Sequence, residues 1–350
     1  MKVITRTNYV KNLFLLGLIL FSTAPLFAQS TEDNETKPKF SFSGSVDAYY
    51  RTNLSTTDRS ETDVEGNVVS PVPAPATSFA DQTGFALGMA NLLFTYENQR
   101  VGAVADVVFG PRGDDAVAGN NLNQLYVFVN VSENTRLTLG RFNTYLGYEV
   151  IAPEGNFNYS TSYLFSNGPF SHVGLKADFA FSSDLSLMIA IMNVTDTDTN
   201  LGGAYSVGAQ VGYSDQFLNF YYDGGEGLGF ELDYTGGFDL SDRLYLGLNA
   251  AYENNDGDSF TGAALYPQFT ASEHFAIGLR GEYFSTHVNG DSDDPSVFAA
   301  TLTGSYTIDN FIVKPEIRLD SWHNDTPFLD HGADPSKSLS SILLAAIYSF

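Results

Sequence analysis

The sequence predicts an all-β chain: a transmembrane antiparallel up-and-down β-barrel of about 16 strands after a cleaved signal peptide. Three observations predict it. From about residue 40 to the end, apolar and polar residues alternate in segments of about 9–13 residues, a length that crosses a bilayer as a tilted strand. No segment of the mature part is long and apolar enough for a membrane helix. Ile342, Leu344, Ala346, Tyr348 and Phe350 share one face of the final segment, which ends on an aromatic residue. A phenylalanine at that place is similar to the signal by which outer-membrane assembly machinery selects its clients. Phe350 is therefore the expected assembly signal, and the outer membrane of a Gram-negative cell the expected compartment.

The N-terminus agrees with export. Lys2, Arg6 and Lys11 form a basic region, Leu13 to Leu20 an apolar one, and Pro25-Leu26-Phe27-Ala28 precedes Gln29. This pattern predicts a signal peptide over 1–28, cut after Ala28, and a short polar periplasmic lead-in over 29–39. The barrel is expected over 40–350. The absence of cysteine excludes a lipoprotein anchor, a disulfide framework and thiol chemistry. The leader carries three bases and no acids, so its removal takes the formal net charge from −24 to −27. So acidic a chain has no patch to neutralise phosphates, and no nucleic-acid partner is expected.

Each strand follows from alternation. The segments are 40–50, 83–97, 100–110, 121–131, 135–145, 171–182, 184–194, 203–213, 216–223, 227–237, 242–253, 259–270, 274–286, 296–308, 310–321 and 338–350. Val101, Ala103, Ala105, Val107 and Phe109 alternate with Gly102, Val104, Asp106 and Val108. Phe311, Val313, Pro315, Ile317 and Leu319 alternate with Ile312, Lys314, Glu316, Arg318 and Asp320. The apolar set should face lipid and the other set the lumen. Pro315 removes a ladder donor in mid-strand and predicts a local bulge. The links after even-numbered strands are short, for example Ser132-Glu133-Asn134, and most of the others are longer. Short periplasmic turns alternating with longer outer loops place both ends of the barrel in the periplasm. An even count lets the last strand pair with the first and leaves no open edge in lipid. Counts of 14 or 18 also fit these boundaries.

Two loops differ from the rest. The first, 51–82, holds Pro71-Val72-Pro73-Ala74-Pro75 and predicts a long outer loop, extended and mobile. The second, 146–170, carries Tyr148, Ile151, Phe157, Tyr159, Tyr163, Leu164, Phe165 and Phe170. A loop in water needs no such set. A loop folded back into the barrel needs it to pack on the wall, so 146–170 is the expected constriction loop. By alternation and loop position, Arg141, Glu149, Glu154, Asn158, Tyr159, His172 and Lys176 are the expected constriction and selectivity residues. Tyr148, Tyr159 and Tyr163 offer a stacking surface for sugars.

Around these residues the chain resembles a known family. Gly140-Arg141-Phe142-Asn143-Thr144-Tyr145-Leu146-Gly147-Tyr148-Glu149, then Asn158-Tyr159-Ser160-Thr161-Ser162-Tyr163-Leu164-Phe165, then Pro169-Phe170-Ser171-His172-Val173-Gly174 are similar to the outer-membrane porin family called β-barrel porin-2, OmpL-like. Thr161 stands where that family often has a basic residue. The resemblance implies a pore-forming outer-membrane protein.

No catalytic constellation competes with this. None of the five histidines, His172, His274, His287, His323 and His331, falls in a zinc-binding spacing, and no nucleophile elbow or Walker loop occurs. No enzyme activity, cofactor or metal centre is expected. Acidic clusters at Asp196–Asp198, Glu253–Asp258, Asp291–Asp294 and Asp320–Asp334 sit at predicted outer loops, as a solvated rim or as carboxylates bridged by divalent cations to lipopolysaccharide. The expected function is passive diffusion of small hydrophilic solutes with a weak cation preference. The expected partners are outer-membrane lipids, lipopolysaccharide, the assembly machinery and the solutes, and a homo-oligomer is compatible with the pattern. The alternatives are a surface receptor or adhesin anchored by a barrel, and a lipid-hydrolysing barrel.

Overall fold

The computed structural model describes residues 38–350 apart from 63–67, 73, 76, 118 and 333. The signal-peptide expectation over 1–28 and nearly all of the lead-in over 29–39 lie outside the described residues. Among the described residues twenty strands form: β1 Lys39–Asn53, β2 Thr56–Thr62, β3 Val68–Val72, β4 Gly84–Glu97, β5 Val101–Phe109, β6 Leu122–Ser132, β7 Thr135–Asn143, β8 Ser171–Ala180, β9 Leu185–Met192 and β10 Ser206–Tyr213. They continue with β11 Gln216–Tyr222, β12 Phe230–Ser241, β13 Leu244–Asn255, β14 Asp258–Thr270, β15 Phe275–His287, β16 Ser296–Ile308, β17 Phe311–His323, β18 Phe328–Asp330, β19 Pro335–Ser336 and β20 Ser338–Ser349. Sixteen of them, all but β2, β3, β18 and β19, close into one antiparallel barrel with each strand beside its sequence neighbours. All sixteen segments expected from alternation are barrel strands, with ends shifted by a few residues. Closure is made by β20 on β1, in register from Ser45 opposite Ser349 to Asn53 opposite Ser341. Phe350 finishes the seam: its N–H donates to the Gly44 carbonyl at 2.9 Å and its carbonyl accepts from Gly44 at 3.0 Å.

The short turns follow from their residues. Ser214 and Asp215 both take positive φ, 48° and 62°, the handedness that a two-residue hairpin shares with the twist of its strands. Outward positions are apolar and exposed, as on β6 with Leu125, Val127 and Val129. The closing strand departs from the simple rule. Leu339, Leu343, Ala345 and Ile347 turn inward, and the last three join Tyr49, Ala80 and Tyr159 in a buried apolar cluster. Pro315 makes no bulge. The β16–β17 register is the same on both sides of it, from Thr303 opposite Glu316 to Tyr306 opposite Val313, and only the intervening ladder pairs are missing. Its ring lies over Gly304, which has no side chain to meet it: a Cβ there would sit 3.3 Å from the ring.

The described residues of the 51–82 link include the strands β2 and β3. β2 and β3 pair with each other, and β2 pairs with β18 in a four-stranded sheet of order β19-β18-β2-β3. Pro71 and Pro335 fall on its two edge strands, where a missing donor costs no ladder bond. Residues 77–80 then turn inward, and Phe79 is buried.

Candidate functional site

Three stretches from the long-link end pack against the inner wall: residues 74–82, the short helix Pro111–Val117, and residues 144–170. Phe79 meets Met89, Val108, Ala116, Val117, Ile151 and Phe165 in one apolar cluster. The Arg112 guanidinium lies 4.6 Å from the Phe79 ring centre and 5.3 Å from that of Tyr159, and donates to the Ile151 carbonyl at 2.8 Å.

The 144–170 segment crosses from the β11 wall round to β1. The Tyr145 hydroxyl donates to the Phe220 carbonyl at 2.7 Å, and the Gly147 N–H to Asp233 at 3.0 Å. Glu149 pairs with Arg280 at 2.7 Å, both buried. Glu154 accepts from Ser45 on β1 at 3.1 Å. Asn158 donates to Thr303 at 2.7 Å, and the Tyr159 hydroxyl donates to Asp47. Asp47 lies at a register shift between β1 and β4, and its carboxylate fills the space a side chain at Gly88 would need.

Most of this stretch has no regular secondary structure, so its peptide groups need other partners. Wall charges supply them. Arg280 donates to the carbonyls of Ser160 at 2.5 Å and Thr161 at 3.1 Å, and Arg318 to Thr161 at 2.9 Å. Lys314 donates to the carbonyls of Pro153, at 3.1 Å, and Asn156. In the other polarity, Glu316 accepts from the Tyr159 N–H at 3.0 Å and Glu282 from Tyr163 and Leu164 at 3.1 and 2.8 Å, while Glu149 of the segment itself accepts from Ser162 at 2.8 Å. The Tyr163 and Leu164 amides open the one-turn helix Tyr163–Asn167, where Ser162 caps by accepting from Phe165. Charge-assisted bonds of this kind are about twice as strong as neutral ones.

The wall also makes room by omission. A Cβ at inward Gly247 would lie 2.6 Å from the Tyr148 ring, at Gly278 2.5 Å from Phe157, and at Gly262 2.8 Å from Leu164. These glycines are sockets for side chains of the segment, because close packing leaves no space for both.

Of the seven residues expected at the constriction, Glu149, Glu154, Asn158 and Tyr159 belong to this one network. The other three lie on β7 and β8. Arg141 bonds the Asn123 carbonyl at 3.1 Å and pairs with Asp198. His172 is fully buried, bonds the Thr144 hydroxyl at 2.9 Å and packs beside Tyr145 and Tyr221. Lys176 pairs with Asp178 at 3.3 Å and faces the Phe142 ring. Tyr159 and Tyr163 are 0 % and 2 % exposed and turned to the wall, so of the three tyrosines expected to stack on sugars only Tyr148 borders open space. The inward charges Arg280, Glu282, Glu316 and Arg318 were not among the expected site residues. Their signal was alternation opposite an apolar set, which marks the inner side but not the contact.

The acidic rim is divided in role. Asp196 accepts from the Phe170 and Ser171 amides at 3.0 and 2.8 Å, tying down the return of the segment, and burial raises its carboxyl above the ordinary value despite those bonds. His287 and Asp294 pair on the surface at 2.6 Å. Among the described residues no three histidine or acidic side chains converge as a metal would need, and no histidine ring bonds a serine hydroxyl.

The fold has solved relatives. The structure of the outer membrane channel DcaP of Acinetobacter baumannii is similar with a TM-score of 0.56 and 13% identity, over 89% of this chain and 97% of that one. In-vitro folded OmpT, an outer membrane protein of Vibrio cholerae, gives 0.52 and 11% over 91% and 100%. OprB of Pseudomonas putida, at high pH, gives 0.52 and 12% over 89% and 94%. At such identities the likeness shows the fold. No curated protein matches the chain in sequence. The family model described as putative beta-barrel porin-2, OmpL-like, matches residues 39–350, the whole barrel; the chain is an integral outer-membrane protein and belongs to that porin family.

Proposed function

We propose that this porin passes small hydrophilic solutes by passive diffusion, with the 144–170 segment as its constriction and a weak preference for cations. One observation carries the preference. Among the described residues the six buried bases, Arg51, Arg112, Arg141, Arg280, Lys314 and Arg318, all donate to backbone carbonyls, and five of them to the three inward stretches. The buried acids Asp223, Glu231, Asp233 and Glu253 on and beside β11–β13 have no basic partner among the described ion pairs. This part of the wall carries acids with no bases to match them, and a low-dielectric lumen focuses such a field. Reversal potentials in a salt gradient across planar bilayers test this: cation preference fading as salt rises is expected, since screening shortens to ~3 Å at 1 M. Anion selectivity would overturn it.

A barrel anchor with a blocked lumen is favoured by one fact, the anchoring of the crossing segment on strands from β11 round to β1. Absence of conductance in the same bilayers would select it. A trimer form exists for the OmpT of Vibrio cholerae, and on that likeness we place a homo-oligomer within the proposal.

A further inference from the structure

Beneath the crossing segment lies a cavity of about 350 Å³, at the lower end of the size of small-molecule sites, roughly 300–1,000 Å³. Its wall residues come from the short-turn ends of the strands. Tyr245 is the second residue of β13, Gln268 lies near the end of β14, and Ile312 is the second residue of β17. The short-turn end of such a barrel faces the periplasm.

The lining has two characters. Tyr148 stacks on Tyr266 with ring centres 4.4 Å apart, and its hydroxyl meets that of Tyr245 at 3.5 Å. Phe157 continues this aromatic surface over Gly278. The lining also holds the polar groups Asn158, Gln268, Ser305 and Glu154. Lys314 brings three ammonium donors and uses two of them on the carbonyls of Pro153 and Asn156. Glu149 is neutralised by Arg280 and Glu154 offsets Lys314, so the lining carries no net charge.

An apolar ring face beside neutral and balanced hydrogen-bonding groups matches a ring with an apolar C–H face and hydroxyls at its edge. We propose that this cavity binds a neutral saccharide of one or two rings, as a subsite on the periplasmic side of the constriction. The assignment rests on the diffusion reading above and names its solute class. The charge balance disfavours an aromatic carboxylate, which would stack equally well but leave its charge without a dedicated base.

Isothermal titration of the intact barrel in micelles of a detergent without a sugar head group tests it, with maltose as the probe and gluconate, benzoate and spermidine as charged comparisons. Maltose should bind with a Kd of about 1 mM, and the charged probes about tenfold more weakly. Tyr245→Ala should weaken maltose about tenfold by removing one aromatic face. Gln268→Ala, which leaves the rings in place, should weaken it about threefold. Heat-modifiable mobility identifies folded protein in each case. A folded wild-type barrel that takes up no maltose at about 50 mM overturns the proposal, as does benzoate or gluconate binding at least as tightly. Conductance in bilayers without maltose binding would end this assignment alone; maltose binding without conductance would end the diffusion reading and keep the site.

Discussion

Arg280→Met is the sharpest test of how the crossing segment is held. The guanidinium is 0 % exposed and donates to Glu149 at 2.7 Å, to the carbonyls of Ser160 and Thr161 at 2.5 and 3.1 Å, and to Thr301 at 3.2 Å. Methionine keeps much of the volume and removes every donor. Thr161 retains Arg318, at 2.9 Å, but the Ser160 carbonyl loses its donor and Glu149 is left as a buried charge whose remaining bond is the Ser162 amide. Breaking a buried pair on one side costs about 3–5 kcal/mol. All of that falls on docking, because the ladders of β15 with β14 and β16 are backbone pairs that the substitution does not touch. The docked-to-released ratio should fall by about two to four powers of ten. Single-channel recordings should then show larger, noisier conductance, and proteolysis in liposomes should cut within 150–168. Adding Glu149→Gln removes the orphaned charge and should restore part of the wild-type behaviour. A folded Arg280→Met barrel with wild-type conductance and wild-type protease resistance would refute the view that wall charge holds this segment.

Three further outcomes are expected. Removing residues 151–168 should raise single-channel conductance and admit larger sugars in a liposome-swelling assay; unchanged conductance in a folded variant places the segment outside the pore. Gly278→Leu should act like a weaker Arg280→Met, because overpacking against Phe157 costs about 1–3 kcal/mol, whereas the same change at Gly281, where nothing lies within 4 Å, should leave conductance as it is. Deleting Phe350 should lower heat-modifiable barrel in the outer membrane, because the seam loses both Gly44 bonds and the ring contact with Phe42 at 5.6 Å; normal levels would remove any assembly role for this residue.

The barrel was legible because lipid imposes a rule that repeats every second residue. Val101 to Phe109 or Phe311 to Asp320 need no distant partner to declare a face, and the seam is declared by Ile342 to Phe350. What alternation cannot say is which inward groups remain in water. Glu316 and Tyr159 are 157 positions apart, and nothing local to either one predicts their bond. The inward apolar set of β20 escaped for the same reason: it needs Tyr159 and Ala80 to cover it. One signal was present and unused. Gly247, Gly262 and Gly278 occupy inward positions on neighbouring strands, and a patch of inward glycines marks where bulky side chains from elsewhere come to rest.

The same fact links anchoring to selectivity. An irregular stretch inside a barrel presents carbonyls and amides that neither lipid nor regular structure will satisfy. Here cations of the wall take the carbonyls and carboxylates take the amides. Guanidinium and ammonium groups only donate, so satisfying the carbonyls takes up Arg51, Arg112, Arg280, Lys314 and Arg318. The amides of the segment take Glu282 and Glu316 of the wall, Glu149 of the segment itself, Asp233 near its start and Asp196 at its return. Other buried acids, Asp223, Glu231 and Glu253, neither hold the segment nor have a basic partner among the described ion pairs. On the function proposed above, holding the segment in place and biasing the lumen toward cations are two results of one distribution of charge. A variant that releases the segment should weaken the cation preference as it raises conductance, because the freed arginines then face the lumen.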